Sequence, residues 1–334
     1  MKYDITIDTG TSNTRAVLWE ADAVVSICRR PVGVQSTATQ GSNDLLKKAI
    51  RECITELLSN VKIGYEDVRH IIASGMITSN VGLVEIPHCI APVGVDELSR
   101  AIAVIEIADI CPMPIWFIPG VKNNVPHVTM QTLETMDIMR GEEVESIALL
   151  ARYGIAGNCL LILPGSHTKF VYIDAHGRIA GCLTTLTGEL LNCVITQTIL
   201  SDAVQRQFLN DTGYDFDCLI AGYENAKRVG MARALFSGRV LNQFITKEQG
   251  KAASYLYGCI LQSDIAAMES TSVFRLDGQT RIVIGGSSIL RRALVDLLHH
   301  TGKHHTIEEC IVEEDFPLSS QGALIIARRR EELV

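Results

Sequence analysis

The stretch Asp8-Thr9-Gly10-Thr11-Ser12-Asn13 gathers a carboxylate, a glycine and several hydroxyl and amide donors into six residues. Gly10 can reach backbone angles that bring N–H groups close to an anion. Thr11, Ser12, Asn13 and Thr14 can donate hydrogen bonds to phosphate oxygens. Asp8 is a hard oxygen ligand of the kind that holds a hydrated Mg2+. The chemistry this suits is the grip of a phosphate chain beside a divalent cation. An ordinary polar hairpin turn accounts for the same residues equally well. Matching pieces downstream decide between them. Pro164-Gly165-Ser166-His167-Thr168-Lys169 is a second such turn, and Gly285-Gly286-Ser287-Ser288 a third, each directly after a buried apolar run. Ser74-Gly75-Met76 opens a further Gly- and hydroxyl-rich loop. Such loops after buried strands are where open α/β sheets place ligands. The sequence has no GxxxxGK[ST] and no GxGxxG, so P-loop and Rossmann readings lose support.

The elements that carry these turns are legible from periodicity. Tyr3, Ile5 and Ile7 alternate along one face, and the runs 14–19 and 23–28 follow across short turns. Residues 35–43 read as a loop. Ser42 or Asn43 then caps a helix to about Leu58, with Leu46, Ile50, Ile54 and Leu57 at helical spacing. A strand over 68–74, a helix from Asp96 through Ala108 and a strand over 114–120 complete the first half. The second half reads as a helix over roughly 133–153, strands over 159–163, 170–174 and 178–183, and helices filling about 188–271. A strand over 281–284, a helix from Ile289 to about His299, a strand over 310–312 and a helix over about 320–332 close the chain. Strand, donor-rich turn, strand, tight turn, strand therefore occurs twice, at 3–28 and 159–183.

The chain has 334 residues, a length that suggests about two domains, and 47% hydrophobic residues supply a large core. Thirty-eight acidic against 30 basic residues give a net charge of −8. That opposes nucleic acid as a partner, which needs a basic patch. The ten cysteines form no CxxC pair and mostly sit in apolar runs, as reduced thiols of a cytoplasmic protein do. No apolar run approaches the ~18 residues of a membrane span, and the N-terminus lacks the apolar region of a signal peptide. His299, His300, His304 and His305 invite a metal reading, but polar residues at a helix end explain them more simply.

Two hairpin turns of this kind plus a late Ile-Val-Ile-Gly-Gly-Ser turn resemble the actin/hexokinase/Hsp70 ATPase superfamily. Asp8 through Asn13 resembles its first phosphate motif, Pro164 through Lys169 its second, and Ile282-Val283-Ile284-Gly285-Gly286-Ser287 its adenosine motif. Within it, the chain is most similar to the 2-dehydro-3-deoxygalactonokinase family. The residues that carry this are Asp8 through Arg15, Ser74-Gly75-Met76, Met139-Arg140-Gly141-Glu142-Glu143, Leu163 through Lys169 and Thr187-Gly188-Glu189-Leu190. Ser166, Thr168 and Phe170 depart from the family's more usual Thr, Ser and Trp, yet the two hydroxyls are kept.

The resemblance implies an α/β, two-lobed ribonuclease H-like (actin/hexokinase-type ATPase) fold with a mixed sheet in each lobe. The lobes would be 1–122 and 123–334, the last helix packing back on the first, with a hinge near residues 119–126. It implies ATP-dependent phosphorylation, with Mg2+, of the terminal hydroxyl of a 2-keto-3-deoxy sugar acid, ahead of an aldolase. Asp8, Gly10, Thr11, Ser12, Asn13, Gly165, Ser166, His167 and Thr168 would bind phosphates, Asp8 holding Mg2+ through water. Gly285, Gly286 and Ser287 would meet adenosine. By position before the second hairpin, Asp137 would be the base; a helix-start Asp on the dipole is the plainer account. Ser74, Gly75, Met76, Arg140, Lys169 and Glu189 would meet the sugar acid, Arg140 or Lys169 taking its carboxylate. Arg140 would otherwise pair with Glu142 or Glu143. Three other readings compete: a hexose or amino-sugar kinase, a ligand-sensing regulator, and an ATPase activator with an iron–sulfur cluster, which the cysteine spacing opposes. A homodimer is compatible with all of them.

Overall fold

A computed structural model describes residues 2–277, 279–286, 289–303, 306–312 and 316–333. In chain order the elements are β1 (Tyr3–Thr9), β2 (Thr14–Glu20), β3 (Ala23–Arg30), α1 (Val34–Gln40), α2 (Asp44–Val61), β4 (Val68–Gly75), β5 (Cys89–Ile90), α3 (Val95–Arg100), β6 (Ala103–Glu106), β7 (Pro114–Phe117), β8 (Val121–Lys122) and β9 (Ile138–Met139). They continue with α4 (Glu142–Tyr153), β10 (Cys159–Leu163), β11 (Thr168–Ile173), β12 (Ile179–Thr185), α5 (Thr187–Gln197), α6 (Phe216–Val229), α7 (Met231–Phe244), α8 (Gln249–Ser270), β13 (Arg281–Gly285), α9 (Ile289–Thr301), β14 (Ile307–Cys310) and α10 (Leu318–Leu333).

Two sheets repeat one plan. The first runs β3-β2-β1-β4-β7-β6 and the second β12-β11-β10-β13-β14. In each, a three-stranded antiparallel meander is extended by two strands parallel to its first, and the first sheet adds β6 antiparallel at its edge. This is the ribonuclease H-like arrangement, present twice. The donor-rich turns lie at the carboxyl ends of β1 and β10, where such sheets bind ligands. Residues 89–90, 121–122 and 138–139 form a third, small sheet of β5, β8 and β9.

Side-chain alternation divides the core. Ala16 and Leu18 of β2 face α2, whereas Val17 and Trp19 face the layer that holds α4 and α10. Leu161 and Val171 of the second sheet reach that same layer from the other side. Leu160, Ile162 and Phe170 face the helical insertion α5 to α8. The two helices of the middle layer touch at Gly322, where any Cβ would run into the Val144 backbone carbonyl. α10 also packs on α3, β1 and β4.

Four expectations are corrected. Residues 34–40 are a helix, hidden because only Val34 of it is buried. The segment 96–108 is a six-residue helix and then β6, an edge strand rich in β-branched residues that pairs with β7. The helix placed over 133–153 begins only at Glu142. Before it come a 3-10 turn at Leu133–Thr135, β9, and Gly141 at φ 111°, a value no helix interior tolerates. The last strand lies at Ile307–Cys310, three residues early.

All ten cysteines are free, and seven are buried. Among the described residues no helix is long and apolar enough to cross a membrane, and no three His, Cys, Asp or Glu side chains gather as a metal-binding group. His300 Nε2 lies 2.9 Å from Glu224 Oε1. His304 and His305 fall outside the described residues.

Candidate active site

The first turn closes on itself, Gly10 N–H donating to Asn13 O at 2.9 Å. The unforeseen helix α1 buttresses it: Val34 and Gln35 N–H donate to the carbonyls of Gly10 and Thr11 at 3.1 and 3.0 Å. The Thr14 hydroxyl is spent inside the fold, donating to Val32 O at 2.7 Å. Thr11, Ser12 and Asn13 stay exposed. Asp8 is half-buried, and its Oδ2 accepts from Ser319 Oγ at 2.8 Å and Arg15 Nη2 at 3.3 Å. Gly75, at φ 85°, lies so close that a Cβ would stand 2.9 Å from Asp8 Oδ1. Ser74 is level with Asp8 across the sheet, buried, with no partner for its hydroxyl.

The second turn is gripped by the start of α5. Gly188 and Glu189 N–H donate to Ser166 O at 2.9 and 3.1 Å. A Cβ on Gly188 would come within 2.7 Å of Ser166 Cα. His167 Nε2 lies 3.1 Å from Glu189 Oε1. Thr168 is fully buried, its hydroxyl unpartnered. Asp8, residues 10–15 and Ser166 line one cavity of about 680 Å³. Its donor set of hydroxyls, an amide and one hard carboxylate fits phosphate oxygens and Mg2+. Gly285 ends β13 level with Cys310 and packs on Leu149 and Leu163; Gly286 turns the chain at φ 96°. Ser287 lies outside the described residues.

A second cavity of about 410 Å³ gathers Met76, His88, Asp137, Arg140, His167 and Lys169, with Glu142 and Thr184. Ser166 and His167, adjacent in the chain, thus line one cavity each. Asp137 precedes β9 rather than starting a helix. Its Oδ1 accepts from Ile138 N–H at 2.7 Å and from Thr184 Oγ1 at 2.8 Å. Lys169 is 5% exposed. Its Nζ donates to Ile138 O at 2.9 Å and Thr184 Oγ1 at 2.6 Å, with Glu142 Oε1 at 3.8 Å.

Arg140 is held differently. Nη1 donates to Thr78 Oγ1 at 2.6 Å, Nη2 to Ile86 O at 2.7 Å, and His88 Nδ1 lies 3.4 Å from Nη2. Among the described residues no carboxylate stands within 4.0 Å of it. The expected pairing with Glu142 or Glu143 is absent, because those carboxylates turn back to the N–H groups of Arg140 and Gly141 at 3.1 and 2.8 Å. Burial lowers the pKa of Arg140. Burial, then the charges of Arg140 and Lys122, push His88 down to about 4, so His88 is neutral at pH 7. The charges of Glu143 and Glu85, which lines the same cavity, act on the Arg140 guanidinium in the sense opposite to burial, from beyond ion-pair distance.

Of the residues expected at the sugar, Met76, Asp137, Arg140 and Lys169 share this cavity. Ser74 and Gly75 lie beside Asp8 instead, and Glu189 is exposed and bound to His167. His88, Glu142 and Thr184 went unforeseen. His88 stands in a stretch without periodicity, and Thr184 lies just past the expected end of its strand.

Glu143 is fully buried at the start of α4, with Oε1 unpartnered. Burial, then the Glu142 carboxylate, pushes its pKa up to about 8. An unfolded Glu titrates near ~4.3. The folded chain therefore holds the extra proton, and the stability this contributes is complete below the unfolded pKa and lost as pH rises through about 8. Glu145, half-buried, is raised to about 8 as well, by burial, then Glu142 and Asp8. Glu143→Gln should therefore flatten, though not abolish, the fall in thermal midpoint between roughly pH 5 and pH 8. Melting curves across that range test it, and an unchanged slope contradicts it.

The model of the family 2-keto-3-deoxy-galactonokinase matches residues 8–314. The chain is 25% identical over 265 residues to a 2-dehydro-3-deoxygalactonokinase of Escherichia coli (strain K12), covering 79% of this chain and 80% of that one. It is 26% identical over 301 residues to a probable 2-dehydro-3-deoxygalactonokinase of Rhizobium meliloti (strain 1021), covering 88% and 89%. A crystal structure of a candidate 2-dehydro-3-deoxygalactonokinase from Sinorhizobium meliloti superposes with a TM-score of 0.74 at 22% identity, over 99% of each chain. That last likeness speaks for the fold. With the doubled sheet, the paired turns and a family match over nearly the whole length, this chain belongs to the 2-keto-3-deoxy-galactonokinase family, a family of sugar-acid kinases.

Proposed function

We propose that this chain transfers the terminal phosphoryl group of ATP to the terminal hydroxyl of a 2-keto-3-deoxy sugar acid, 2-dehydro-3-deoxy-D-galactonate, yielding its 6-phosphate. The observation that carries this is Arg140: a half-buried guanidinium without a carboxylate, in the same cavity as Asp137. A partly buried cation with no carboxylate at ion-pair distance, only the more distant charges of Glu143 and Glu85, gains from an anion that reaches it. A keto acid brings its carboxylate there and presents its far hydroxyl elsewhere in the cavity. Lys169 already has Glu142 and two oxygens, so Arg140 is the carboxylate clamp.

Thr11, Ser12 and Asn13 from one lobe (1–122) and Ser166 from the other (123–334) hold the phosphates, while His167 faces the second cavity and Thr168 is buried behind the turn. Phosphoryl transfer asks for such positioning more than for covalent chemistry. Mg2+, held through water by Asp8, supplies charge neutralisation when bound. Gly285, Gly286 and Ser287 border the adenosine. Asp137 accepts the proton of the sugar hydroxyl. Closure of the lobes about residues 119–126 excludes water.

The test is ADP release with Mg-ATP and 2-keto-3-deoxygalactonate, with 2-keto-3-deoxygluconate and glucose beside it. Turnover confined to the keto-deoxy acids is expected. Turnover on glucose alone would overturn the acid specificity.

A further inference from the structure

We propose that Thr184 is the positioning residue that fixes the orientation of Asp137, its hydroxyl polarised by Lys169. This rests on the reading of Asp137 as the base. Thr184 and Lys169 are direct cross-strand partners on β12 and β11. Their side chains therefore meet on one face of the sheet. Lys169 Nζ, 2.6 Å from Thr184 Oγ1, can only donate. The threonine oxygen is thus the acceptor of that bond, and its single proton points to Asp137 Oδ1 at 2.8 Å.

The same carboxylate oxygen takes the Ile138 N–H at 2.7 Å. Lys169 also holds the Ile138 carbonyl at 2.9 Å, so one ammonium steadies both the backbone after Asp137 and the hydroxyl that orients its side chain. Both donors converge on Oδ1, and none among the described residues reaches Oδ2. The two oxygens are thereby made unequal: one is anchored, the other is left for the sugar hydroxyl. Without Thr184 the carboxylate keeps only its own-turn bond to Ile138 and swings about its side-chain torsions. Displacement of a reacting group by about 1 Å can cost about 100-fold in rate.

The experiment compares Thr184→Val, Thr184→Ser and Asp137→Asn in the ADP-release assay with 2-keto-3-deoxygalactonate, resolving kcat from both KM values. Valine preserves the shape and deletes the hydroxyl. The expected result is a kcat lower by about 10- to 100-fold, with KM for the acid and for ATP within about 3-fold, and recovery by serine to near the parent. Should the valine variant fail to fold, Thr184→Ala carries the same comparison. A Thr184→Val kcat within about 2-fold of the parent, alongside an inactive Asp137→Asn, overturns the proposal and leaves the base standing. A rise in KM for the acid at unchanged kcat overturns it too, since it makes Thr184 a substrate contact. Near-normal turnover by Asp137→Asn removes the base reading and this inference with it.

Discussion

Asp137→Asn is expected to lower kcat by about 10²- to 10⁴-fold, the span that general base catalysis contributes, while ATP binds as before. The asparagine is isosteric and still accepts from Ile138 N–H and Thr184 Oγ1 through its amide oxygen, so the local framework is preserved. What is lost is the basic oxygen that takes a proton as the hydroxyl attacks. On the proposed reading ATP meets the other cavity, lined by residues 10–15 and Ser166, so its affinity should not move. The measurement pairs steady-state turnover with nucleotide titration. A variant with more than about a tenth of parent turnover would contradict the assignment. A variant that also loses nucleotide would point to a damaged fold rather than a missing base.

Arg140→Gln is expected to lower kcat/KM for the keto-deoxy acid by about 100-fold or more, chiefly through KM. Truncating one member of a buried, hydrogen-bonded charge pair costs about 2–5 kcal/mol. A guanidinium meets a carboxylate with two parallel bonds. Arg140→Lys keeps the charge without the fork and should fall between. The contacts to Thr78 and Ile86 make Arg140 part of the wall as well as the clamp. Thermal unfolding of each variant separates the two roles: a lost clamp raises KM at little cost in stability. An acid KM that stays within about 3-fold in a folded Arg140→Gln would move the carboxylate to Lys169.

The repeated sheet was legible in the chain because a strand's two faces alternate every residue. Tyr3, Ile5 and Ile7 announce β1 whatever surrounds them, and Cys159 through Leu163 announce a strand buried on both faces. The places of the two donor-rich turns were equally legible, since glycine and short polar residues mark where a strand ends and turns. α1 was not, because a helix that buries one valine and otherwise braces a turn through its N–H groups leaves no hydrophobic period. β6 was misread because its Val104 and Ile105 fit a helix or an edge strand, and pairing with β7 decides between them.

By itself, the sequence determined the family, the doubled ribonuclease H-like plan and the residue types of the two turns. These depend on local periodicity and on motifs whose members are neighbours in the chain. Only the tertiary structure decided which charges are paired. Arg140 sits beside Glu142 and Glu143, and proximity alone predicts that they pair. Gly141 at φ 111° instead turns those carboxylates toward backbone N–H groups and sends the guanidinium to Thr78 and Ile86, 62 and 54 residues away. Likewise Asp137 meets Thr184 only because the register of β11 and β12 sets Lys169 opposite Thr184. A side chain's charge state and orientation follow from whatever the fold packs against it, and here those partners lie dozens of residues away.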